Sequence, residues 1–168
     1  MGENLPTGLV NLCQEPLGID RAATGIGAMA LYGKPVIVVD FGTATKADAF
    51  NEKGEYMGGL ICPGIKISMD ALFARAAKLP RIEIKKPARA IGINTVEQMQ
   101  AGAVYGYVGG LEGMVGHMLR EMDADPASIP VVATGGLAKL LSAHTTMIRV
   151  VDQNLTLHGL RLIYQRSL

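Results

Sequence analysis

The order of elements legible in this sequence predicts an α/β fold: a three-stranded antiparallel meander extended by parallel strands, with helices on both faces. Three observations carry the prediction. Val36-Ile37-Val38-Val39 is an apolar, mostly β-branched run of the kind that fills a buried strand. Two further strand-like stretches follow, separated by the turn Asn51-Glu52-Lys53-Gly54. Beyond residue 64, stretches with helical apolar spacing alternate with short apolar runs.

Taken in order, residues 1–17 are rich in turn formers and are expected to be extended. A helix is expected over 20–32, where Ile26, Met29 and Ala30 repeat at helical spacing and Gly33 with Pro35 ends it. Gly25 and Gly27 weaken it by roughly 1 kcal/mol each against alanine unless something packs closely there. The meander strands are 36–40, 45–50 and 55–61, stopped by Cys62-Pro63-Gly64. Ser68 is the expected N-cap of a helix over 69–78, with Met69, Leu72, Phe73 and Ala76 on its apolar face and Pro80 closing it. Residues 81–89 carry Arg81, Lys85, Lys86 and Arg89 and read as a solvated strand or loop. Asn94 or Thr95 caps the longest helix, which runs to about residue 122. Gly102, Gly106, Gly109, Gly110, Gly113 and Gly116 lie along that helix, so another element or a symmetry mate is expected close to its backbone. A strand over 130–133, a break at Thr134-Gly135-Gly136, a helix over 137–142, a strand over 147–151 and a helix over 155–166 complete the chain. Three meander strands followed by helix–strand alternation describe a ribonuclease-H-like domain over 18–168 behind an extended segment 1–17.

Composition narrows the function classes. A chain of 168 residues, 49% of them hydrophobic, suits one compact domain with a sizeable core. A net charge of +1, no tryptophan and 5% aromatic residues argue against a nucleic-acid partner. Cys13 and Cys62 stand far apart, outside any metal-ligand spacing, and read as free thiols in a reducing compartment. No apolar run approaches bilayer-spanning length and the first residues lack the regions of a signal peptide, so a cytoplasmic protein with no membrane partner is expected.

The chemistry concentrates where the first strand ends, at Asp40-Phe41-Gly42-Thr43-Ala44-Thr45. Asp40 emerges from the core as a carboxylate. Gly42 lets the backbone turn tightly against a ligand, and Thr43 and Thr45 add hydroxyls. Together with backbone N–H groups this is the chemistry of a phosphate loop with a cation-handling carboxylate. On the bare motif, a hairpin corner whose side chains satisfy turn amides is an equal reading.

Several stretches taken in sequence are similar to the type III pantothenate kinases. They are Gly18-Ile19-Asp20-Arg21, Asp40-Phe41-Gly42-Thr43-Ala44-Thr45, Gly58-Gly59 with Pro63-Gly64-Ile65, and Asn94-Thr95-Val96-Glu97-Gln98-Met99-Gln100-Ala101-Gly102. Tyr105-Gly106-Tyr107-Val108-Gly109, Ala133-Thr134-Gly135-Gly136-Leu137 and Leu155-Thr156-Leu157-His158-Gly159-Leu160 continue the set. The resemblance implies the acetate kinase and actin superfamily, with two ribonuclease-H-like domains around ATP. It implies phosphorylation of pantothenate at its terminal hydroxyl, opening coenzyme A synthesis. Its cofactors are ATP, Mg2+ and a monovalent cation, K+ or NH4+, and its partner is a second copy joined near the helix over 95–122.

Residue by residue, the resemblance makes Asp20 the general base, with Gly18, Ile19, Arg21 and Thr95 in the pantothenate site. Phosphoryl transfer needs chiefly positioning and one carboxylate to take the hydroxyl proton. Arg21 suits a bidentate pair with the pantothenate carboxylate. Asp40 matches the monovalent-cation ligand, Gly42, Thr43 and Thr45 the phosphate contacts, and Thr134, Gly135 and Gly136 the adenosine loop. His117, His144 and His158 read as structural or surface residues.

Two departures stand out. Nothing in the sequence matches the family's first phosphate loop, Asp-x-Gly-Asn-Thr, or the domain that bears it. Where the family continues Thr-Phe-Asp, this chain has Lys46-Ala47-Asp48, and Lys46 either replaces the monovalent cation or points to solvent. Three readings follow: a kinase portion impaired on its own, a kinase completed by a second chain, or a non-catalytic nucleotide-binding or dimerisation module.

Overall fold

The computed structural model describes residues 7–122, 125 and 127–168. Residues 1–6 of the expected N-terminal segment therefore lie outside the described residues. The elements are α1 (Ile19–Tyr32), β1 (Val36–Phe41), β2 (Ala44–Phe50), β3 (Tyr56–Pro63), α2 (Ile65–Arg75), α3 (Thr95–Glu121), β4 (Val131–Thr134), α4 (Ala138–Ser142), β5 (Val150–Val151) and α5 (Leu155–Arg166). They form one sheet in the order β3-β2-β1-β4-β5. β1, β2 and β3 pair antiparallel as the expected meander, and β4 and β5 extend it in parallel.

Helices cover both faces, as the period-two pattern of β1 requires. Val36 and Val38 face one core, shared with Phe50, Tyr56, Ala28 of α1 and Leu155 of α5. Ile37, Val39 and Phe41 face the other, against Val104, Val108, Leu111 and Val115 of α3. α1 and α5 lie almost backbone to backbone. A Cβ on Gly159 would overlap the Ala23 carbonyl oxygen, and one on Gly27 would sit 2.5 Å from that of Leu155. A Cβ on Gly25 would strike the Phe50 ring. The two glycines that weaken α1 as an isolated helix are therefore the ones that let it pack.

Three boundaries differ from expectation. α2 starts at Ile65, not 69, and stops at Arg75. The Gly64 N–H is held by the Thr43 carbonyl at 3.0 Å, which turns the chain directly from β3 into the helix. Ser68 is thus inside the helix, where its hydroxyl accepts from Tyr107 of α3 instead of capping. β3 runs through Cys62 and Pro63, and β5 is only two residues long, because the Met147 N–H is taken by the Thr145 hydroxyl before the ladder begins. Residues 81–89 form no regular element. The α3 cap is Asn94, whose side chain accepts from the Glu97 N–H.

Cβ atoms at Gly102, Gly106, Gly109, Gly110 and Gly113 of α3 would meet nothing within 4 Å. Among the described residues, no element of this chain makes the close approach expected there.

Candidate active site

The site forms where β1 leaves the core. Asp40 follows Val36 and Val38 on the α1 face of the strand and stands directly opposite Lys46 in the β1–β2 register. Period two then puts Lys46, Asp48 and Phe50 on that same face of β2. The first turn of α1 lies over them, and its two charged residues meet two charges of opposite sign. Lys46 Nζ donates to Asp20 Oδ2 at 2.9 Å and stands 3.3 Å from Asp40 Oδ2. Arg21 Nε reaches both Asp48 oxygens, at 3.1 and 3.2 Å, while Nη2 pairs with Asp48 and donates to the Tyr56 hydroxyl at 2.7 Å. Tyr56 in turn donates to Asp48 at 3.1 Å. Asp20-Arg21 on the helix is thus read in reverse by Lys46-x-Asp48 on the strand.

These contacts set the protonation states. The Lys46 hydrogen bond holds the Asp20 carboxyl below its ordinary value, against a smaller opposing effect of burial. Burial works to lower Lys46, but the Asp20 and Asp40 carboxylates outweigh it and hold the ammonium above its ordinary value. Asp48 raises Arg21 by hydrogen bonding. Burial, followed by the Asp48 charge, pushes Tyr56 up to about 12. Asp20 and Lys46 thus hold each other as carboxylate and ammonium, beside a closed Arg21–Asp48–Tyr56 group.

Two glycine loops flank Asp40. Gly42 and Thr43 are exposed between β1 and β2, and the Gly42 N–H is bonded to the Ala44 carbonyl at 3.2 Å. Thr134 ends β4 beside Asp40 in parallel register, with Gly135 and Gly136 next. Gly135 has φ +93°, and a Cβ there would lie 2.8 Å from Asp40 Oδ1 and 2.7 Å from the Phe41 carbonyl. Only glycine serves at that point. Asp40, Gly42, Thr43, Thr134, Gly135 and Gly136 therefore gather at the carboxyl ends of adjacent parallel strands, where open α/β sheets take their ligands.

Not every expected residue joins this group. Thr45 is 4% exposed and alternates onto the α3 face of β2, opposite to Asp40 and Lys46, so its hydroxyl is turned away from the cluster. The Arg21 fork, expected to clamp a ligand carboxylate, is already engaged by Asp48. Gly18 caps α1 without a side chain, and Ile19 is 43% exposed beside it. Thr95 is exposed at the start of α3, and no hydrogen bond or ion pair among the described residues joins it to the cluster. His144 stacks edge-on against Tyr105 at 5.6 Å, a packing role. Among the described residues, no group of three potential ligands gathers to hold a metal ion.

Asp48 and Tyr56 carry no ligand-facing assignment in the sequence reading, and Lys46 enters it only as a departure. For Lys46 and Asp48 the signal is their two-residue spacing, which puts both on the sheet face that Asp40 shares.

A family model described as type III pantothenate kinase matches residues 1–117. Curated relatives named type III pantothenate kinase from Moorella thermoacetica and Brevibacillus brevis are 52% and 53% identical over 99% of this chain. One from Bacillus cytotoxicus is 50% identical. The chain spans 65%, 65% and 63% of the length of these relatives. Among solved structures, one from Campylobacter jejuni described as a Baf family transcriptional activator aligns with a TM-score of 0.65 at 19% identity, over 97% of this chain and 71% of its own. The ethanolamine utilization protein EutJ from Carboxydothermus hydrogenoformans aligns at 0.50 and 19% identity, over 84% of this chain and 53% of its own. These likenesses are of the fold alone.

Proposed function

This chain belongs to the type III pantothenate kinase family, and we propose that it serves the ATP-dependent phosphorylation of pantothenate to 4'-phosphopantothenate, the opening step of coenzyme A synthesis. One observation carries the reading: Asp20 and Asp40, from different elements, converge on one ammonium at the carboxyl end of β1, flanked by two glycine loops. Asp20 is the general base. Its side chain is 61% exposed, so a substrate hydroxyl can reach the oxygen that Lys46 leaves free. Asp20 takes the hydroxyl proton as the substrate oxygen bonds to the γ-phosphorus and the bond to the departing ADP breaks. Gly42 and Thr43 lie against the phosphates, and Thr134 to Gly136 against the adenosine. Arg21 acts through Asp48 and Tyr56, holding the start of α1 so that Asp20 is aimed. Family membership implies ATP with a divalent ion, which would be held largely by the nucleotide's own phosphates. The stretch of family sequence present here spans under two thirds of the length of these relatives.

The open glycine run of α3 favours a companion reading, a homodimer sealed on that face, which would leave this chain a nucleotide-binding or dimerisation module even without turnover. Action in the cytoplasm belongs to the same proposal.

A coupled assay for ADP release with pantothenate, repeated with Asp20→Asn, tests the catalytic reading. Turnover that the substitution abolishes supports it, and turnover that survives the substitution defeats it. If neither ATP nor pantothenate raises the melting temperature, the site reading fails, since any ligand of the native state must do so.

A further inference from the structure

Family resemblance implies a monovalent cation at Asp40, and the residues around Asp40 do not fit a free one. Its carboxylate already faces the Lys46 ammonium at 3.3 Å, and the same ammonium bonds Asp20 at 2.9 Å. Lys46 is not a surface lysine swung inward. It is the direct cross-strand partner of Asp40, and its side chain is 18% exposed. An ammonium has the charge of K+ or NH4+ and the same preference for oxygen. Fixed to β2, it acts at an effective concentration that a dissolved ion must exceed to displace it. A second cation entering beside it would also meet like-charge repulsion a few ångströms away.

We propose that the Lys46 ammonium is this chain's built-in monovalent cation, holding Asp40 and positioning Asp20, so that no exchangeable K+ or NH4+ binds at Asp40. The inference rests on the reading of Asp40 as a cation-handling carboxylate. Lys46 is a positioning residue: it fixes one Asp20 oxygen and leaves the other for the substrate hydroxyl.

The test compares melting temperatures in KCl and in choline chloride at equal ionic strength, for the unmodified chain, Lys46→Thr and Lys46→Met. Methionine keeps the packed stem without the charge. The unmodified chain is expected to melt at the same temperature in both salts. Both variants are expected to melt lower in choline and to recover in K+, by about 3–6 °C when K+ exceeds its dissociation constant tenfold. A purely structural lysine would give variants that K+ does not rescue. An unmodified chain that gains as much from K+ as its variants overturns the inference but spares Asp40 as a cation ligand. Variants indifferent to K+ overturn both. Should the variants fail to fold, thallium(I) NMR on the unmodified chain decides: no saturable bound signal supports the inference, and one displaced by K+ overturns it.

Discussion

Replacing Arg21 by alanine tests what holds the start of α1, and with it the aim of Asp20. The Asp48 side chain is 7% exposed and that of Arg21 19%. Arg21 supplies Asp48 with contacts from both Nε and Nη2, and Tyr56 with one more. After substitution, the Tyr56 hydroxyl is the remaining side-chain donor to Asp48 among the described residues. Removing one partner of a buried ion pair costs about 3–5 kcal/mol. Arg21 keeps a fifth of its surface in water, and screening there reduces the figure to about 2–3 kcal/mol. For a chain of this size that lowers the melting temperature by roughly 5–10 °C. Asp48→Asn removes the charge that Arg21 balances, so the double variant should be less destabilised than the sum of the singles, by about 1–2 kcal/mol. Urea unfolding of the four proteins measures the cost and the coupling, and thermal unfolding the fall in melting temperature. An Arg21→Ala variant within about 0.5 kcal/mol of the parent, or strict additivity, would refute the claim that this pair anchors the helix.

Gly159→Ala drives a methyl into the Ala23 carbonyl and should cost about 3 kcal/mol in chemical denaturation. Gly109→Ala, with nothing within 4 Å, should instead stabilise a monomer by about 0.5–1 kcal/mol, and a concentration-dependent loss in its place marks a second copy on that face. Tyr56 prefers its neutral form when folded, so its contribution is complete below the ordinary tyrosine range and lost as pH rises from about 10 to about 12. Tyrosinate absorbance should lose a group titrating at about 12 in Tyr56→Phe, while Tyr32, also raised by burial and Asp152, still titrates late. Thr45→Val should leave ATP-induced stabilisation unchanged, because Thr45 faces α3, and a clear loss in a thermal-shift titration would return it to the phosphate site.

Much of the fold was legible because the signals were local. Val36 to Val39 could only be a buried strand, and α5 is found over the predicted residues 155–166. Ser68 misled because a hydroxyl before an apolar run has the look of a cap, whereas a backbone bond from Gly64 to Thr43 starts α2 earlier. Backbone contacts across the fold leave no trace in composition. The site divided in the same way. Motifs single out Asp20, Asp40 and the Thr134–Gly136 loop, which the structure places around the end of β1. Thr45 is grouped with Thr43 by the motif, but it lies within β2 opposite Phe41 and turns with Phe41, Ala47 and Ala49 toward α3, whereas Thr43 stays in the loop before the strand. The role of Arg21 was hidden because its partner, Asp48, lies 27 residues away on another element. Lys46 stood out as a departure, but only the β1–β2 register shows that it meets both carboxylates.

The central claim is that the Asp20–Lys46–Asp40 cluster is the ligand site. Backbone amide NMR during titration with pantothenate in the presence of Mg-ATP tests it most directly. Shifts are expected to concentrate at Gly18 to Arg21, at Gly42, Thr43 and Lys46, and at Thr134, Gly135 and Gly136 where β4 ends. Shifts confined to the exposed groove of Ile91, Tyr105 and Gly106 beside α3, with the cluster unmoved, would contradict it.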